Sequence, residues 1–546
     1  MFADTVHRDA MIYTLDPARP WASVMLVADG TIVAVGDEEL LTDVDGSPDV
    51  ISHGGAFLMP GLGDVHTHHM LAGRAQEMEL ELDATADLPT LLAAIRDWSA
   101  DLPADEWIVG GGWGSTLASH LSTAAARTAL DEACGQRPVL LRSDSCHDRW
   151  VSSAALTAAA ITEDTPDPDG GALTRDPHTG TLTGLLIEAA GLPVEHAYAR
   201  AVPFTLEDDA RACLRGIETL RSHGITMYQD AAAGLPMLRA LRHLDDTGQL
   251  KAWAVTSMQI NDRIFGTHPL GKDLISHREE TRGRHHRPDF VKIFLDGIPP
   301  SRTAGMIDPY VPDADHGANW RGETTMTQAE LECWLLWLAE QNLGAKIHAT
   351  GDRSVRMVLD AAAKVRAAGF THAPIQVAHG QYIAEEDVPR FAELGVIADL
   401  SPAMWFPGVL VEAVGCCITP QRADRAHPNR DLYDSGALLA AGSDWPVSPS
   451  PNPWPAIQGL VTRQDPTGTF PGTLWPEQAL TLEQALAVYT LHVARALGID
   501  DVTGSLTPGK SADFVTLDRN PFTADPNHVA ATTATGVWFA GHHVHG

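Results

Sequence analysis

The chain is short of cysteine, lysine and long apolar runs, and each shortage removes a class of function. Six cysteines in 546 residues (Cys134, Cys146, Cys213, Cys333, Cys416, Cys417) show no Cys-x-x-Cys spacing. They are too sparse for a disulfide framework or a zinc finger. Basic residues number 38 against 71 acidic ones, a formal charge of −33. Nucleic acid and anionic membranes are therefore excluded as partners, since both need clustered Lys and Arg. No apolar stretch reaches the roughly 20 residues of a membrane-spanning helix. The N-terminus also lacks the basic region, apolar core and small-residue cleavage site of a secretory leader, so a cytoplasmic location is expected. Lysine occurs only at 251, 272, 292, 346, 364 and 510, so a lysine inside an apolar strand is notable.

What is present is enough for a large core, with 44% hydrophobic residues, and a length that calls for one big domain and a smaller one. Residues 1–57 read as short strands, with Asp29-Gly30 turning a hairpin between Ser23–Val27 and Thr31–Val35. The C-terminus has the same texture at 512–517 and 536–541. Between them, apolar strands alternate with amphipathic helical stretches, the pattern of repeated βα units. Eight strands are expected, at 57–68, 225–231, 251–260, 289–297, 344–350, 375–381, 396–402 and 438–445. The fold class is thus α/β, a (β/α)₈ TIM-like barrel over 58–499. A small β-sandwich would be formed by both termini, 1–57 with 500–546. The first two strands lie about 155 residues apart, far beyond one crossover, so a subdomain is expected at 70–215. Its Pro/Gly/Asp-rich 164–183 portion reads as an exposed hairpin or loop.

Met59-Pro60-Gly61-Leu62-Gly63-Asp64-Val65-His66-Thr67-His68 carries the chemistry. Side chains two apart in a strand share a face, so His66 and His68 present two imidazoles, suited to zinc and similar ions. Alone, His-x-His is more often incidental. Three more candidates stand late in β-like runs: His348 in Lys346-Ile347-His348, His379 in Val377-Ala378-His379, and Asp444 in Gly442-Ser443-Asp444. All fall near the carboxyl ends of strands, where barrel active sites lie. Lys292, flanked by Phe290, Val291, Ile293, Phe294 and Leu295, must pair with a carboxylate such as Asp296 or lose its charge, because a bare buried ammonium is costly.

These motifs resemble the amidohydrolase superfamily, in the branch called amidohydrolase family 3, which includes formamide deformylases. The resemblance also rests on His147-Asp148-Arg149-Trp150-Val151, Val291-Lys292-Ile293-Phe294-Leu295-Asp296-Gly297, His348-Ala349-Thr350-Gly351-Asp352, Gly442-Ser443-Asp444-Trp445-Pro446, and Gly504-Ser505-Leu506-Thr507-Pro508-Gly509-Lys510. It implies two divalent metal ions, most readily Zn²⁺. His66, His68 and Asp444 would hold one, His348 and His379 the other, and an N-carboxylated Lys292 would bridge them. It further implies hydroxide attack on an amide, N-formyl or carbamate carbonyl of a small-molecule substrate, with Asp444 as general base and acid. His147 is implied in substrate contact, although Ser152 stands where the family usually has Asn.

Trp113, Trp405 and Trp445 are candidates to wall an apolar substrate pocket, against the commoner role of aromatics as plain core. Glu188 reads more readily as a solvated helix residue than as a substrate contact. His542, His543 and His545 end a peripheral hairpin. An esterase or lactonase would use the same metals. A mononuclear deaminase of the superfamily typically carries Glu three residues after the fifth-strand His, where this chain has Gly351. A catalytically silent scaffold would be expected to lack a ligand, and all six positions are filled. A homodimer is the default assembly.

Overall fold

The computed structural model describes residues 2–546 apart from Asp101, Ala104, Arg263, Phe265 and Trp405, and apart from the side chain of Asp43. Trp405, one of the three tryptophans proposed for the pocket, therefore lies outside the described residues. Among the described residues no helix is long and apolar enough to cross a membrane.

Eight parallel strands form the central sheet: β1 Leu62–Thr67, β2 Ile225–Ala233, β3 Trp253–Gln259, β4 His286–Phe294, β5 Gly344–Ala349, β6 Ile375–His379, β7 Val396–Leu400 and β8 Leu439–Ala441. Their spatial order is their chain order, the up-and-around winding of a TIM-like barrel. Every residue of β1, β2, β3, β5, β6, β7 and β8 is buried. Strands covered on both faces by lumen and helices read as unbroken apolar runs rather than as alternation. The seam between β8 and β1 closes through Asp444 N–H to His66 O at 2.7 Å and Ser443 N–H to Asp64 Oδ1 at 3.0 Å. Gly442 allows this approach, since a Cβ there would lie 2.4 Å from His66 N.

All eight expected strands are present, but the stretch expected as one strand over 57–68 is two. Asp49–Pro60 belongs to the terminal sheet, where Pro60 pairs with Phe514 and Phe57 with Leu517. The chain breaks at Gly61, where a Cβ would fall 2.1 Å from Thr226 Oγ1, and Leu62 opens the barrel.

Strands from both ends of the chain share one continuous eight-stranded sheet, where a sandwich of two sheets was the expectation. The Asp29-Gly30 hairpin joins Val24–Ala28 to Thr31–Gly36, with φ of +48° and +72° at the turn, as a type I′ turn requires. The sheet curls until this hairpin meets the 510–512 segment, through Ile32 N–H to Lys510 O and Ala512 N–H to Gly30 O, both 2.8 Å. Curling lets one sheet cover its own face.

Between β1 and β2 the chain builds a second, six-stranded sheet from Leu80–Glu81, Ile108–Trp113, Val139–Ser143, Asp148–Val151, Gly171–Arg175 and Leu182–Glu188. The last two pair antiparallel, the hairpin expected near 164–183. Helix Leu206–Ser222 runs through residue 215 and packs on helix His69–Met78, so the barrel's outer layer has already resumed at that point.

Candidate metal centre

His66 lies near the end of β1 and His68 one residue past it, at the start of helix His69–Met78, and closure of the seam brings Asp444 beside both. Asp444 Oδ1 lies 3.3 Å from His68 Nε2 and 3.6 Å from His66 Nε2. One nitrogen or oxygen from each of the three residues falls within 4.8 Å of the others, and all three residues are buried. Lys292, 1% exposed on β4, puts Nζ 3.5 Å from His66 Nε2. The His379 ring is 4.6 Å from that of His66 and 4.8 Å from that of His348, centroid to centroid. The six residues expected as ligands thus line one cleft at the carboxyl end of the barrel, with His66, His68 and Asp444 converging most tightly. Buried imidazole, carboxylate and amine donors facing one another are the chemistry a divalent cation fits.

The outer contacts select which nitrogen each imidazole presents. His66 Nδ1 donates to Asp399 Oδ2 at 2.8 Å, leaving Nε2 toward Asp444. Asp399 is in turn ion-paired with Lys346. The Gly297 carbonyl, which can only accept, lies 3.1 Å from His348 Nε2, so that nitrogen carries the proton and Nδ1 is left for a ligand role. Ser401 Oγ is 3.1 Å from His379 Nδ1. Such partners orient metal-binding rings and raise their basicity.

Burial, then the charges of Lys292 and Lys346, holds His66 neutral far below the usual histidine range. His379 is likewise held low, by burial first and then by His348. Burial pulls Lys292 down to about 7, aided by Lys346. The backbone is left-handed at His379 (φ +72°) and Asp444 (φ +54°), a conformation unfavourable for non-glycine residues that collects at functional sites.

A cleft of about 690 Å³ opens onto these groups. The insert supplies its opposite wall. His147 faces His348 with ring centroids 5.8 Å apart, and its Nδ1 donates to Glu188 Oε2 at 3.0 Å. Burial opposes charge on His147, but the Glu188 carboxylate prevails and its pKa is raised. Glu188 is 2% exposed at the end of a strand, and Thr303 Oγ1 donates to its other oxygen at 3.0 Å. The expectation of a solvated helix residue is thereby corrected. Its strand is a hairpin arm tucked against the barrel mouth, an arrangement local periodicity cannot show.

Neither Trp113 nor Trp445 walls the cleft. Trp113 is fully buried in the insert's own core, where its Nε1 donates to Leu141 O at 3.0 Å. Trp445 is packed in the barrel core and contributes only its carbonyl, which accepts from His68 N–H at 2.8 Å. The apolar lining comes instead from Leu71, Phe294, Ile298, Met404, Leu410 and Val447. Trp113 went where a buried carbonyl could satisfy its indole N–H. Asp399, Ser401 and Gly297 were not anticipated. Asp399 alone left a trace in sequence, as a carboxylate inside the apolar run Val396–Leu400.

A family model described as the amidohydrolase family matches residues 49–545. YtcJ of Bacillus subtilis is 28% identical over 526 residues, covering 94% of both chains. N-substituted formamide deformylase of Arthrobacter pascens is 28% identical over 538 residues, covering 94% of this chain and 93% of its own. The crystal structure of an uncharacterised metal-dependent hydrolase from Pyrococcus horikoshii superposes with a TM-score of 0.75 at 22% identity, covering 96% of this chain and 99% of that one. That last likeness is one of fold.

Proposed function

We propose that this chain, which belongs to the amidohydrolase family and is a hydrolase, uses divalent metal to cleave an amide or related C–N bond of N-acyl, N-formyl or carbamate type. The observation that carries the reading is the convergence of His66, His68 and Asp444, with Lys292, His348 and His379 beside them, at the base of one cleft. The deformylase named above supports the N-formyl member of this class.

His66, His68 and Asp444 would hold one ion and His348 and His379 a second, most readily zinc, with Lys292 between them. The ions, when bound, supply Lewis acidity that polarises a carbonyl and makes hydroxide available near neutral pH. Lys292 suits carboxylation: with its pKa near 7 an appreciable fraction is free amine, whose lone pair adds to CO₂ and releases a proton, giving an anionic oxygen donor. Asp444 takes the proton of the attacking water and returns it to the leaving nitrogen, which otherwise is too basic to depart. His147, held by Glu188, donates to an oxygen of the substrate from the opposite wall. The apolar lining favours alkyl or aryl groups over strongly charged ones.

An ester or lactone would suit the same groups. The deaminase reading fares worse, because Gly351 stands where its glutamate would be. A Cβ there would sit 2.2 Å from Gly305 O, so no side chain fits.

The test is a hydrolysis screen of N-formyl, N-acyl, carbamate and ester compounds with metal-loaded protein, alongside metal analysis. Near-stoichiometric divalent metal, C–N cleavage and loss of activity on chelation are expected. Ester cleavage without amide cleavage would overturn the C–N assignment, and metal-free active protein would overturn the whole reading.

A further inference from the structure

A second crevice, of about 250 Å³, lies beside β7 and is lined by Ser401, Phe406, His427, Asn429, Gly459 and Arg463 among others. Arg463 is 3% exposed. Its Nε donates to Leu474 O at 2.8 Å and its Nη2 to Ala426 O at 3.0 Å. Both partners are neutral carbonyls. Among the described residues no ion pair to a carboxylate accompanies these bonds, and burial draws the guanidinium's pKa down to about 10. Burying a cation without a countercharge is costly by several kcal/mol as an order of magnitude. The other buried arginines in the core of the fold are treated differently: Arg142 and Arg149 are both closed onto Glu195.

The neighbours of Arg463 do not supply the missing charge. His427, 2% exposed, is held neutral by burial and by Arg463 itself. Asn429, 3% exposed, leaves its side-chain oxygen without a hydrogen-bond partner. Its carboxamide can turn to face either nitrogen or oxygen into the crevice. One permanent positive charge, a neutral ring and an amide in so small a space match an anion of single charge and few atoms.

We propose that this crevice binds a small monoanion of the carboxylate class, held by the Arg463 guanidinium and the Asn429 carboxamide. A carboxylate meets a guanidinium with charge-assisted hydrogen bonds and needs no second cation. The site is independent of the metal centre's assignment, because none of its defining groups belongs to that centre's ligand set.

The holoenzyme is titrated with formate by calorimetry, and crystals grown in bromide are examined for anomalous scattering. A bromide peak beside Arg463 is expected. Formate binding should weaken by about tenfold or more in Arg463→Met, the scale of a hydrogen bond to a charged group. Since Arg463 also ties two carbonyls, Asn429→Leu serves as a second variant that keeps the guanidinium in place, and it too should weaken binding. A peak explained by water alone, or formate binding unchanged in both variants, overturns the proposal. A bromide peak with unchanged formate binding assigns the crevice to halides and overturns the carboxylate class.

Discussion

Two clusters of buried charge lie at the barrel mouth and in the insert, and they are finished in opposite ways. In the insert, Arg142 forks onto Glu195 at 3.0 and 2.9 Å and reaches Glu79 at 2.9 Å, while Arg149 meets the same Glu195 at 2.9 Å. Cations and anions alternate there and the cluster closes on itself. At the barrel mouth, the imidazoles, Asp444 and Lys292 point at one another's acceptor sides. Lys292 forms no ion pair with a carboxylate among the described residues, and its Nζ lies 3.5 Å from an imidazole nitrogen of His66. Buried polar groups need partners, so the first cluster is a structural tie and the second is the donor set proposed above to hold metal. The difference teaches that the arrangement of charge inside the fold, more than its amount, separates scaffold from site.

The largest effect that would sharpen this comparison is on Asp444. Asp444→Asn should keep metal and lower kcat by about 10²- to 10⁴-fold, the usual reach of a positioned acid-base group. Turnover preserved with metal bound would break the assignment. Glu195→Ala in the insert should act on stability instead, costing about 3–5 kcal/mol by stranding two buried arginines, as read from denaturant midpoints. If activity falls while the midpoint holds, the insert cluster is more than a tie.

Asp399→Asn probes the support of the metal centre. It removes the charged acceptor of His66 Nδ1 and the partner of Lys346, and metal affinity should fall by about 10- to 100-fold, measured by competition with a chelator. The smallest effect is in pH dependence. Burial disfavours the Glu195 carboxylate, but Arg142 and Arg149 outweigh it and its pKa is lowered below the ordinary 4.5. Its stabilising contribution is therefore fully present above pH 4.5 and lost as pH falls through the lowered folded value. Unfolding midpoints measured from pH 6 downward should decline in the parent protein, and Glu195→Gln should flatten that decline. An unchanged slope in the variant would show that other carboxylates govern acid stability.

The barrel and the residues of the candidate site were largely legible because both are written in short-range pattern. His-x-His on a strand, a histidine or aspartate late in three of the later runs, and a lysine among apolar neighbours are each visible within ten residues. The division at Gly61 was not, since the same apolar run serves two sheets and only the close approach of Thr226 separates them. Trp113 misled for a related reason. A tryptophan near glycines looks the same whether its ring faces a cleft or a core, and the carbonyl of Leu141 decided. Glu188 was misjudged because its partners, His147 and Thr303, are 41 and 115 residues away.

Composition and spacing determined by themselves that this is an α/β chain with eight barrel strands and ligand-type residues at strand ends. Tertiary structure alone decided that those residues meet, which imidazole nitrogen each presents, and that the insert brings His147 and Glu188 over the centre. The physical reason is range. Side-chain alternation is fixed locally by backbone geometry, whereas the His66 to Asp399 bond spans 333 residues and exists only when the β8 to β1 seam closes the barrel.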